Sequence, residues 1–261
     1  MYTYSKEHKI FLQKNKKEKK IVLFFQIFII SFLILIWQIL ADFNIINTFL
    51  FSSPKGILET IINLKDNNLP EHIWITTYET LLSFLISSSI GIIIGAILWR
   101  YKILSKIFDP YLTVINSLPK VALGPLIIIW IGTSINSIIF MAILITGIIS
   151  IINIYNAFIS TDKNYITLLE SLKATKWQIF TKVIIPCNLK NVLSTFKINI
   201  SMSLVGVIMG ELLVSKKGLG YLIMYASQVF NINLVITSVF ILGILSFILY
   251  FIIHIIENKI K

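Results

Sequence analysis

Three histidines, one cysteine and a few charges set inside apolar runs are the chemically capable residues of this 261-residue chain. His8, His72 and His254 are scattered, and no two stand at the spacing of a metal site. Cys187 is alone, which excludes an internal disulfide and a cysteine-based metal cluster. No glycine-rich loop followed by lysine and a hydroxyl residue is present; residues 215–220, SKKGLG, lack that order, and Gly218 and Gly220 read as permitting a sharp turn. The chain is therefore expected to bind neither ATP nor a metal itself. What remains is charge within apolar surroundings. Lys120 lies some turns into an apolar run interrupted by Pro119, Gly124 and Pro125. A lysine there either meets water and an anionic substrate group in a pathway or snorkels to the membrane surface. Glu211, closing another run, reads either as an interfacial carboxylate in water or as a pathway residue.

The elements that carry these residues are membrane-spanning. Fifty-six per cent of residues are hydrophobic and 13% charged, with mean hydropathy +0.86. A soluble domain of this length has no interior for so much apolar surface. The net charge of +11 does not point to nucleic acid, because the lysines gather in segments between apolar spans.

In order, a basic tail (1–20) precedes a first span (21–41), about 31 Å long as a helix and too long for a signal peptide. A linker (42–75) contains a short amphipathic helix capped by Ser52 or Ser53, with Pro54 in its first turn. Five further spans are expected at 77–99, 111–131, 135–158, 192–214 and 233–256, within a core of 76–256. Gly91 and Gly95 suit close helix contact. Arg100, Lys102 and Lys106 form a basic loop, the span 111–131 is broken at 118–125, and 215–233 is re-entrant or loop. Broken helices are tolerated where backbone lines a cavity, so 118–125 is the expected pathway segment. A polar tail, 257–261, ends the chain.

Residues 163–186, KNYITLLESLKATKWQIFTKVIIP, differ from everything around them. Leu168, Leu169, Leu172, Ile179, Val183 and Ile184 form an apolar stripe at helical spacing, with Glu170, Lys173, Lys176 and Lys182 elsewhere. One helix is expected, capped by Asp162 or Asn164 and ended by Pro186. It either lies on lipid headgroups or inserts Leu172, Ala174 and Trp177 into a partner. With the N-terminus inside, 18 of 23 lysines and arginines fall on the cytoplasmic side and four outside, Lys120 being the other. Both termini and the 163–186 segment are thus expected to be cytoplasmic.

The run 168–186 resembles the cytoplasmic EAA-type loop of ABC-importer permeases, E-A-A-x-x-x-G with a hydrophobic tail ending in proline. The similarity is tight from Ala174 to Pro186. Aligned on Trp177, Thr167 occupies the glutamate position, Leu168 and Leu169 the alanines and Lys173 the glycine, with Glu170 shifted by three. FLFSSPKGILETI, SLPKVALGPLIIIWIG and GELLVSKKGLGYLIMYASQVF are similar to binding-protein-dependent (MetI-like) permeases of the nitrate, taurine and aliphatic-sulfonate subgroup. The resemblance implies an all-α membrane fold with six transmembrane helices and a cytoplasmic coupling helix at 163–180. It also implies a homodimer in a bacterial cytoplasmic membrane, with Mg-ATP held on a separate ATPase subunit and an extracytoplasmic solute-binding protein as donor. Its site assignments are Glu170, Leu172, Ala174, Trp177 and Phe180 for ATPase coupling; Pro119, Lys120, Gly124, Pro125 and Glu211 for the pathway; and Gly218, Gly220 and Tyr221 for the binding-protein-facing loop. The implied cargo is a small anion, or alternatively a thiamine-pyrimidine precursor. An ion-coupled secondary transporter would need mid-span carboxylates and an inverted repeat, and a membrane enzyme a polar cluster; neither pattern is visible in the sequence.

Overall fold

The computed structural model describes residues 6–64 and 68–259, all helix and connection. Lys65, in the basic-residue count above, and Lys261 of the polar tail lie outside the described residues. The chain divides into two compact units, 1–63 and 64–261.

In the first unit, α1 (Lys6–Asp42) is one helix through both the basic stretch and the first span. The expected tail is thus largely helical. Lysine and glutamate are good helix formers, and no glycine or proline interrupts them. Residues 21–35 of α1 are exposed throughout, as a helix facing lipid requires. After a short turn of helix, α2 (Thr48–Phe51), Ser53 Oγ accepts from Gly56 N at 3.0 Å and opens α3 (Pro54–Leu64). Ser53, of the two candidates, is the cap.

The second unit is built around α4 (Leu69–Arg100), α7 (Ile135–Ile159) and α10 (Ile185–Val214). Small residues let these three approach closely. On α4, Ser83, Ser87, Gly91 and Gly95 recur every four residues and are all buried. A Cβ at Gly95 would lie 3.0 Å from Ile154 Cγ2 of α7. On α10, a Cβ at Gly206 would lie 2.6 Å from Ala142 Cα and one at Gly210 2.9 Å from Ile138 Cα, both on α7. Polar pairs add register where close packing must replace the hydrophobic drive that lipid does not supply. Asn199 Nδ2 donates to Ser88 Oγ (3.0 Å) and Ser150 Oγ (2.9 Å), joining all three helices. Thr146 and Ser203 hydroxyls pair at 3.3 Å.

Two further helices pack on this core. α12 (Ile232–Lys259) and α11 (Leu219–Gln228) pack on α10 through Leu204, Leu219, Leu222, Leu242 and Leu245. The expected broken span is present but longer: α5 (Lys102–Ser117), a 3-10 turn (Lys120–Leu123) and α6 (Gly124–Ile131), bent by 81°. The basic loop is not a loop, since Arg100 ends α4 and Lys102 starts α5. Among the described residues, five helices are long and apolar enough to cross a membrane, six if the bent pair is one span.

Candidate functional site

Residues 163–184 form a two-part hairpin end rather than one helix. Asp162 accepts from Asn164 N at 2.9 Å and caps α8 (Lys163–Ser171). The chain then turns through Lys173 at φ +57°. Thr175 and Gln178 form a reciprocal capping box (Thr175 N to Gln178 Oε1 2.8 Å, Gln178 N to Thr175 Oγ1 3.3 Å) that starts α9 (Lys176–Ile179). Thr-x-x-Gln was the overlooked signal, for it specifies a new N-terminus inside an amphipathic run. A π-helical stretch, Phe180–Ile184, leads directly into α10. Pro186 therefore does not end a helix; it follows the π-helical stretch inside a run that is helical from Lys176 to Val214, and such local π geometry is one way a helix accommodates the groups a proline frees.

The hairpin has an inner and an outer side. Ile166, Leu169, Ala174, Ile179 and Phe180 pack with Ile154, Phe158 and Trp99 at the ends of α7 and α4. The Phe180 ring centroid is 5.1 Å from that of Trp99 and 5.5 Å from that of Phe158. Outward stand Leu172 (74% exposed) and Trp177 (71% exposed), with Glu170 exposed beside them. Of the five residues assigned to coupling, Glu170, Leu172 and Trp177 are available to a partner. Ala174 and Phe180 instead face the bundle.

At the broken span, Pro119 and Pro125 are exposed and Gly124 is buried, where a Cβ would meet Leu213 Cδ1 at 2.6 Å. Lys120 has a partner that sequence reasoning missed. Its Nζ donates to the Asn116 carbonyl (3.2 Å) and to Asn116 Oδ1 (3.1 Å), so the ammonium caps the carboxyl end of α5. Cation and helix terminus are complementary there. The signal available was Asn116-x-x-x-Lys120 ending an apolar helix.

Glu211 is neither in water nor on an open path: it is 1% exposed. Its Oε1 accepts from Thr76 Oγ1 (2.6 Å) and its Oε2 from Gly220 N (2.6 Å). Thr76 Oγ1 also accepts from Leu219 N (2.9 Å), and His72 Nδ1 accepts from Gly218 N (2.9 Å). Three successive N–H groups at the start of α11, which no helix can satisfy internally, are thus taken by α4 and α10. Lys217 pairs with Glu71 alongside, and Tyr221 stacks on His72 at 6.0 Å. Gly218 has φ +105°, and a Cβ on Gly220 would lie 2.8 Å from Glu211 Cβ. The glycines therefore serve close approach as well as the turn. Both are buried, so of the three residues assigned to the binding-protein-facing loop only Tyr221 is partly accessible. Glu79, also 1% exposed, lies close enough to Glu211 for the two carboxyls to interact, and its Oε2 has no hydrogen-bond partner.

These features can be set beside known proteins. A probable ABC transporter permease of Haemophilus influenzae is 27% identical over 89% of this chain and 94% of its own length. A putative aliphatic sulfonates transport permease, SsuC, of Bacillus subtilis is 27% identical, covering 87% and 83% respectively. The formylaminopyrimidine transport permease ThiX of Halalkalibacterium halodurans is also 27% identical, covering 87% and 90%. The fold matches a chain of the MetNI methionine ABC transporter in an inward facing conformation, with TM-score 0.67, 20% identity and coverage of 74% of this chain and 96% of that one. Residues 87–261 match the family model described as the binding-protein-dependent transport system inner membrane component. The chain, with its α4–α7–α10 core and hairpin at the ends of α4 and α7, belongs to that family of membrane transport components.

Proposed function

We propose that the chain is the membrane-spanning subunit of an ATP-driven importer of a small anionic solute. Two copies would enclose the pathway, with both termini and residues 163–184 on the cytoplasmic side. A separate ATPase would receive the 163–180 hairpin, and an extracytoplasmic binding protein would deliver the solute. The observation that carries this reading is the hairpin itself. It exposes large apolar side chains, Leu172 and Trp177 most of all, on a backbone capped twice and anchored by Phe180 to the ends of two spans. A push on that hairpin would pass into α4 and α7 as a rigid displacement. This is the differential contact that a two-state transporter requires.

The anionic cargo rests on Lys120. A lysine within an apolar span needs water or a partner, and here it stands at the break after α5, bonded to Asn116, beside backbone groups that need a cavity or neighbours. A thiamine-pyrimidine precursor is the second reading, favoured by the likeness to a formylaminopyrimidine permease. Uptake in proteoliposomes containing permease, ATPase and binding protein separates the two. Competition by taurine or an alkanesulfonate supports the anion; competition by the aminopyrimidine alone replaces it. ATP-independent uptake driven by an ion gradient would remove the ATPase reading altogether.

A further inference from the structure

Residues 163–182 carry a charge pattern that the chain itself leaves unanswered. Lys173 and Lys176 are exposed and adjoin Leu172 and Trp177 in sequence, with Lys163 and Lys182 exposed further out. Among the described residues, ion pairs join Lys197 and Glu257, Lys217 and Glu71, and His254 and Glu257, and none involves these four lysines or Glu170. Asp162 is occupied in capping α8. Seating Leu172 and Trp177 in a groove strips water from the neighbouring ammonium groups. A desolvated charge without a counter-charge is strongly unfavourable, whereas complementary charge at a rim speeds encounter and rejects wrong partners.

We infer that the groove receiving Leu172 and Trp177 is rimmed by carboxylates placed to meet Lys173 and Lys176. The inference rests on the reading of this hairpin as the ATPase-docking segment and adds the chemistry of the partner surface. Anionic lipid headgroups are the other negative surface within reach of a membrane face. An interfacial helix, however, lays a continuous apolar face over several turns onto lipid. Here α8 has nine residues and α9 four, and Ile166, Leu169 and Ile179 are already packed inward against Phe158 and Phe180, so the exposed Tyr165, Leu168, Leu172 and Trp177 span too short a helix to lay such a face.

The test uses the full permease coexpressed with the ATPase subunit of its importer, reconstituted in nanodiscs and captured by a tag on the permease. Retention of the ATPase is measured from roughly 50 to 500 mM salt, a range over which exposed charges become screened. Wild type is expected to lose ATPase steadily as salt rises. The double variant Lys173→Glu/Lys176→Glu is expected to retain about tenfold less at low salt, and Lys173→Gln/Lys176→Gln to bind more weakly with a flattened salt dependence. Trp177→Ala reports docking independently of charge. If Trp177→Ala releases the ATPase while the charge-reversed protein binds as wild type at every salt concentration, docking stands and the acidic rim is overturned. If neither change releases it, the docking reading fails as well. A salt-dependent loss seen in phosphatidylglycerol nanodiscs but absent in phosphatidylcholine assigns the lysines to lipid and also overturns the rim.

Discussion

Glu211 holds together three elements by accepting from Thr76 and Gly220, and replacing it removes an acceptor from buried donors. Each buried group left unpaired costs about 1–3 kcal/mol. Glu211→Ala should therefore lower the midpoint of thermal unfolding in detergent and speed hydrogen exchange at 218–220. Glu211→Gln, which keeps one acceptor oxygen, should fall between Ala and wild type; equal stability of all three would show that α11 is held by apolar packing alone. Lys120 is argued at the same scale. Because it also caps α5, Lys120→Gln tests two roles, and their readouts differ. A pathway role predicts loss of anion uptake with normal stability, partly restored by Lys120→Arg. A capping role predicts a small loss of stability, within the 0.3–1 kcal/mol typical of a cation at a helix terminus, and unchanged uptake.

At the scale of elements, the 163–184 hairpin depends on its second cap. Thr175→Ala should remove the capping box at a cost of about 0.5–2 kcal/mol. The expected result is faster amide exchange over 176–179 and weaker ATPase stimulation, with an unchanged yield of folded permease. Unaltered exchange there would mean that the Phe180 cluster alone sets the turn. Contact between α7 and α10 makes a sharper demand. At Gly206 a Cβ would stand 2.6 Å from the Ala142 backbone, so Gly206→Leu forces the helices apart. Monodisperse protein should be largely lost on size exclusion, while Gly243→Leu on α12, where an added Cβ would meet nothing within 4 Å beyond its own turn of helix, should be tolerated.

For the whole molecule, orientation is the accessible quantity. In a Cys187→Ser background, Lys173→Cys should resist a membrane-impermeant thiol reagent in intact cells and react in inverted vesicles, whereas Lys216→Cys should do the reverse. Reaction of Lys173→Cys from outside would overturn the topology on which docking and import both depend.

Much of this molecule is written locally. Hydropathy over 18 or more residues determines which segments span, and lysine placement sets the expected direction, because each is a property of short segments in contact with lipid or water. The break at Pro119–Pro125 and the amphipathic character of 163–184 are local in the same sense. Helix ends are less legible: Pro186 reads as terminal in the sequence, yet the helix runs on through it after the π-helical stretch. What tertiary structure alone decides is direction and partnership. Ala174 and Phe180 are assigned to coupling together with the outward Leu172 and Trp177, and only packing with Phe158 and Trp99 shows that they face inward. Glu211 reads in the sequence either as an interfacial carboxylate or as a pathway residue, whereas Thr76, 135 residues away in sequence, and Gly220 enclose it. Those choices depend on groups brought together from distant segments, whose energies no local pattern contains.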